Sequence, residues 1–246
     1  MENTDKTAVV ANEAAPVLGF WGRLVNIFGS PRKTFESIDR KPTWVIPLII
    51  IILLTIISTQ MTFPIIMDTQ LENLRSNPNI PPERLEAIEN QFTENVNTQR
   101  IITLVSQIIV TPIIFLALAG IFYLVGTIAM GGDTSYKKVL SVLSWSMCIF
   151  ILSTIVTVPL IIAKGNMNVS LSLALLLPGD AIGTKLHTFL SKFDFFTIWF
   201  LAVFATGFGI IYRFTTARAY TAVGILWAIW IALSVALSGV FKQFGM

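Results

Sequence analysis

Long uncharged apolar runs alternate with short polar segments through most of the chain. Five runs stand out, at about Trp44–Met67, Ile101–Met130, Val139–Ala163, Phe195–Tyr212 and Thr221–Phe241. At 1.5 Å per helical residue, about 20 apolar residues cross a hydrocarbon core of roughly 30 Å. The pattern predicts an all-α, polytopic transmembrane bundle of five spans. Pro42, Pro47 and Pro64 sit near the ends of the first span, where proline is tolerated. The second run exceeds what a bilayer needs and carries Pro112 a third of the way along, which predicts a tilt, a kink or a first turn in water. Trp44, Trp199 and Trp227 fall near span ends, at the headgroup level that amphipathic rings prefer.

Other segments have helical or apolar patterns too short or too polar to span. Before the first run, Val17, Trp21, Leu24 and Phe28 recur at helical spacing with Phe20 and Ile27 alongside and Arg23 and Asn26 opposite. That predicts an amphipathic helix in the interface plane. Ser30 then caps a second short helix opened by Pro31, so residues 17–42 form an interfacial collar. Between 68 and 100, Pro81 and Pro82 open a helix with Leu85, Ile88, Phe92 and Val96 on one face and Glu83, Glu86, Glu89 and Glu94 largely on the other. Val169–Leu177 is apolar but only about nine residues long, and reads as a re-entrant or interfacial piece. Residues 1–16 are polar without an apolar core, and read as a disordered cytoplasmic tail rather than a signal peptide.

Composition strengthens the membrane reading. Only 13% of residues are charged and 54% are hydrophobic, against roughly a quarter charged in soluble domains. The net charge of +3 does not point to nucleic acid, because the basic residues flank apolar runs instead of forming a stripe. They report topology. With the N-terminus inside, inner segments hold Lys6, Arg23, Arg32, Lys33, Arg40, Lys41, Lys137, Lys138, Arg213 and Arg218. Outer segments hold Arg75, Arg84, Arg100, Lys164, Lys185, Lys192 and Lys242, spread over longer loops, so the bias favours a cytoplasmic N-terminus and an external C-terminus. The single cysteine, Cys148, excludes an internal disulfide framework and a cysteine-based metal site.

Three short motifs carry a resemblance. Ser30-Pro31-Arg32-Lys33-Thr34-Phe35-Glu36-Ser37-Ile38, followed by Lys41-Pro42 and a span, is similar to the opening of bacterial Yip1-domain membrane proteins. Gly131-Gly132-Asp133-Thr134-Ser135-Tyr136-Lys137-Lys138-Val139-Leu140-Ser141-Val142 resembles that family's loop into the third span. The third is Asp194-Phe195-Phe196-Thr197-Ile198-Trp199, with Gly207 beyond it and Arg218-Ala219 before the last span. The resemblance covers the chain from about residue 20 onward. It implies a five-helix bundle with a cytoplasmic N-terminus in the inner (cytoplasmic) membrane of a bacterium. Eukaryotic relatives are associated with vesicle trafficking and Rab-type GTPases; fold and location are carried over here, and trafficking is not.

The expected chemistry is sparse. The five runs hold no ionisable residue, while Asp133, Asp180 and Asp194 lie at loops or span edges and His187 has no obvious serine or cysteine partner. No catalytic, cofactor-binding or metal residues are assigned, and no cofactor is expected. Arg23, Arg32, Lys33, Arg213 and Arg218 are candidate contacts for membrane lipids or for unidentified membrane-protein partners. Gly224, Ala228, Ala232 and Ala236 repeat every four positions as a small-residue seam, either inside the bundle or between copies in a homo-oligomer, and Ala205 and Gly209 share the spacing. On the internal reading, Ala232→Leu costs about 1–3 kcal/mol by overpacking. The third span's hydroxyls, Ser144, Thr154 and Thr157 among them, either line a polar path or bond their own backbone. Two functions fit: a non-enzymatic scaffold or adaptor organising proteins or lipids, or a transporter or channel component with its path along the third span.

Overall fold

The computed structural model describes residues 17–77, 80–167, 169, 171–178 and 184–243, with side chains described as far as Ser238. The expected tail of residues 1–16, with Lys6, and Asp180 lie outside the described residues, as does the side chain of Lys242. In chain order the helices are α1 (Phe20–Gly29), α2 (Pro31–Arg40), α3 (Val45–Arg75), α4 (Pro82–Glu94), α5 (Val96–Leu124), α6 (Tyr136–Met147), α7 (Ile149–Lys164), α8 (Lys185–Leu190), α9 (Phe195–Tyr212) and α10 (Thr216–Gln243). Five helical stretches among the described residues are long and apolar enough to cross a membrane: Val45–Arg75, Val96–Ala129, Tyr136–Lys164, Phe195–Tyr212 and Thr216–Ser238.

The fourth span has the bounds its uncharged run predicts. The first two outrun theirs. At 31 and 34 residues, they reach roughly 45–50 Å, well beyond a bilayer core. The overhang is polar, with Asp68, Glu72 and Arg75 in the last turns of α3, and the helices continue because nothing there breaks them. α4 bridges the two ends and turns Leu85, Ile88 and Phe92 to its less exposed side. Arg75 grips Glu89 with an ion pair of 2.7 Å, which holds the Glu89 carboxyl below the ordinary carboxylate range.

Neither Pro64, Pro112 nor Pro159 interrupts its helix. The irregularities lie elsewhere. The second span ends in one π-helical turn, Val125–Ala129, and the third is broken at Cys148. There the bonds Cys148 N–H to Trp145 carbonyl and Ile151 N–H to Cys148 carbonyl are of the tighter three-residue type.

α9 is the axis of the bundle, packed against α2, α6, α7 and α10. Every fourth residue along it is aromatic. Phe200, Phe204, Phe208 and Tyr212 run ring to ring at 6.0, 6.0 and 4.8 Å, and Phe122 of α5 closes on Phe204 at 4.4 Å. Such rings bury large areas and prefer these tilted contacts.

The N-terminal helices, expected as an interfacial collar, are packed onto the bundle. α1 and α2 form a hairpin docked on α6 and α9. Phe35, Ile38 and Thr34 are fully buried, while Trp21 and Val25 are about three-quarters exposed. Gly207 of α9 leaves room for this: a Cβ there would lie 2.6 Å from Val142 Cγ1 and 2.9 Å from the Phe35 ring. Phe28 reaches Trp199, which is thirteen residues, or roughly 20 Å, from Tyr212, so the hairpin lies alongside α9 and not beneath its end. Ile27 is fully buried and Phe20, Leu24 and Phe28 pack on the core, as their spacing predicts, but Arg23 shares this inward side and Trp21 points away from it.

Candidate functional site

Arg23 departs most from its expected place. Expected opposite the apolar face as a lipid or partner contact, it is 2% exposed. Its Nε and Nη2 donate to Ser37 Oγ at 3.3 and 3.1 Å, Nη2 also reaches the Ser37 and Lys41 carbonyls, and Nη1 donates to Thr43 Oγ1. Thr34 Oγ1 returns a bond to the Arg23 carbonyl, and the Leu18 N–H reaches Ser37 Oγ. Burial lowers the guanidinium pKa from its ordinary value. All the acceptors are neutral oxygens, which can hold a desolvated cation only by using up its donors. Arg23 is therefore corrected from a lipid or partner contact to the clasp of the α1–α2 hairpin.

The remaining basic candidates are exposed. Arg32 pairs with Glu36 at 2.9 Å across one turn, and Lys33 projects beside it. Arg32 also lines a cavity of about 210 Å³ with Thr206, Thr215, Thr216 and Tyr220, which brings the start of α2 to the α9–α10 connection. Arg213 carries a φ of 57°, the one positive value at a non-glycine residue among those described. It turns the chain sharply out of α9, and the Phe214 N–H returns to the Gly209 carbonyl at 2.9 Å.

That turn builds a stacked corner. Phe214 lies nearly parallel to Tyr212, with centroids 5.2 Å apart, and the Arg218 guanidinium covers Phe214 at 4.5 Å while donating to the Met130 carbonyl. The Tyr212 ring rests where side chains on Gly126 and Gly132 would collide with it, at 2.3 and 2.5 Å. Its hydroxyl donates to the Tyr123 carbonyl at 3.1 Å. Gly126 of the π-helical turn and Gly132 of the loop into α6 thus receive the end of α9. Lys138 pairs with Asp39, which ties α6 to the end of α2. Between the π-helical turn and the first half of α10 opens a crevice of about 570 Å³, with Arg218 on its rim.

The other candidates do not gather here. Ser144 is fully buried and donates to the Ser141 carbonyl; Thr154 and Thr157 donate to Phe150 and Ser153. These hydroxyls bond their own helix, and neither cavity is lined by them. The internal seam on α10 is also corrected. Ala228, Ala232 and Ala236 are exposed, Gly224 is half-exposed with open space around its Cβ position, and Ala219, Val223 and Ile231 face inward instead. A four-residue repeat drifts about 40° per step on a helix of 3.6 residues per turn, so the stripe winds off the packed face. A contact between copies is the version that remains. Ala205 and Gly209 of α9 do face the bundle, and a Cβ on Gly209 would come 3.1 Å from Ala219.

Asp194 caps α9, accepting from the Phe196 and Thr197 N–H groups at 2.9 and 3.1 Å. Sequence reasoning missed two features, the aromatic repeat on α9 and the Gly126–Gly132–Tyr212 cradle. The repeat was visible as aromatics four apart; the cradle, linking residues 80 apart, left no local signal.

The family model described as Yip1 domain matches residues 25–238, spanning all five membrane-crossing helices and the α2 hairpin arm. No curated protein and no solved structure matches the chain.

Proposed function

The chain belongs to the Yip1-domain family of multi-pass membrane proteins, and on that premise we propose that it is a non-enzymatic scaffold or adaptor organising membrane proteins or lipids. The observation that carries this reading is the filled interior. Phe35 and Ile38 of the hairpin, Trp145 of α6 and Phe204 and Phe208 of α9 occupy the middle of the bundle with almost no exposure. Rings packed like this rigidify the molecule and leave its outer faces and basic end to act. The acting surface is the exposed basic rim of Arg32, Lys33, Arg213 and Arg218, held in place by the clasped hairpin and the stacked corner. The proposed setting is the cytoplasmic membrane of a bacterium, with this rim inside and the C-terminus outside, in line with the lysine and arginine bias.

The test pairs crosslinked affinity capture from native membranes with solute flux into liposomes holding only this chain. The adaptor reading expects specific co-purifying proteins, lost in an Arg32→Glu, Lys33→Glu double variant, and no flux. Flux without partners would overturn it. The transport reading keeps one observation of its own: the Gln60 Nε2 and Gln107 Oε1 atoms, buried between α3 and α5 without a hydrogen-bond partner.

A further inference from the structure

We propose that the crevice between the π-helical end of the second span and the first half of α10 binds one anionic phospholipid, with an acyl chain along its wall and the phosphate on Arg218. The proposal deepens the adaptor reading by naming a ligand for its basic rim, and it rests on the chain being membrane-embedded.

The crevice has the right dimensions and the right asymmetry. Its volume of about 570 Å³ lies within the roughly 300–1,000 Å³ of ordinary ligand sites. Val125, Met130, Ala222, Ile225 and Leu226 make its apolar wall, and the polar lining residues Thr215, Arg218 and Thr221 gather within two turns at the start of α10. A lipid has the same division, with a hydrocarbon tail and a charged head at one end.

Arg218 is held ready for an anion. Stacking on Phe214 and one bond to the Met130 carbonyl fix the guanidinium plane at the rim. Among the described residues no carboxylate forms an ion pair with it, although Asp133 lies in the neighbouring loop. A phosphate can accept bidentate bonds from the free edge of such a guanidinium. The positive end of α10 adds to the attraction. Lys137 and Arg213, exposed at the same end, favour a headgroup with no cation of its own, which selects phosphatidylglycerol over phosphatidylcholine.

The experiment is native mass spectrometry of the full chain, delipidated in detergent and titrated with phosphatidylglycerol, phosphatidylcholine or inorganic phosphate. Wild type retains one phosphatidylglycerol in preference to phosphatidylcholine, and phosphate alone does not displace it. Arg218→Gln weakens retention about ten-fold, the size of one charge-assisted contact. Ala222→Phe, which leaves the Arg218–Met130 bond alone, fills the crevice and abolishes retention of both lipids. Equal retention of the two lipids by wild type, retention of phosphatidylglycerol by Ala222→Phe, or displacement by phosphate overturns the proposal. Because no partner protein is present, this result stands or falls separately from partner capture.

Discussion

Replacing Gly207 with alanine tests the docking of the hairpin on α9 at a single atom. The new Cβ would lie 2.6 Å from Val142 Cγ1 and 2.9 Å from two Phe35 ring carbons, against comfortable carbon contacts of about 3.5–4.0 Å. Phe35 and Val142 are both fully buried, so neither can swing into open space. Overpacking of this kind costs about 1–3 kcal/mol. The same change removes a helix-interior glycine, which returns roughly 0.5–1 kcal/mol. The net expectation is a loss of about 1–2 kcal/mol, read as a lowered Tm in detergent micelles. Gly224→Ala is the matched control, since nothing lies within 4 Å of its Cβ position and the propensity gain should appear alone. Adding Phe35→Leu to Gly207→Ala should recover part of the loss relative to the two single changes, because the colliding ring atoms are gone. A Gly207→Ala protein at least as stable as Gly224→Ala would refute the packing argument.

Other changes probe the rest of the structure. Arg23→Ala should cost about 2–3 kcal/mol by removing the charge-assisted bonds that join α1 to Ser37, Lys41 and Thr43, and limited proteolysis should then cut within residues 17–42. Arg213→Gly should raise stability by about 1 kcal/mol in thermal unfolding, because a left-handed backbone strains a side chain and not a glycine; a loss would mean that the arginine side chain matters more than its φ. Ala232→Leu, on an exposed face, should leave the monomer's unfolding unchanged, and any effect should appear only in oligomeric state measured by sedimentation. The depressed Glu89 carboxyl stabilises the α3–α4 junction above its ordinary pKa of about 4.3. That support is lost as pH falls through the lower folded value, so the protection of α4 amides, taken relative to their intrinsic exchange rate at each pH, should be weaker at pH 3 than at pH 6, and an Arg75→Gln variant should lose that difference.

The spans were legible because an uncharged run of bilayer length has few other fates, and Phe195–Tyr212 was bounded by Asp194 and Arg213 on either side. Their extensions were not, since a helix leaving hydrocarbon can continue in water with no change of backbone. The amphipathic pattern around Arg23 identified a helix and the inward side of Phe20, Leu24, Ile27 and Phe28, but not the place of Arg23, because the guanidinium turns in toward Ser37, Lys41 and Thr43, residues 14–20 positions away. The α10 stripe failed for a geometric reason, a period of four read as a period of 3.6. The Tyr212 cradle depends on contacts between distant spans, which single-sequence periodicity does not encode.

Hydrogen–deuterium exchange of the chain in lipid nanodiscs tests most directly whether the N-terminal hairpin is part of the packed bundle. Amides of residues 20–40 should exchange as slowly as those of α9. Exchange within seconds, at the rate of the 131–135 loop, would contradict the docked hairpin and the fixed basic rim built on it.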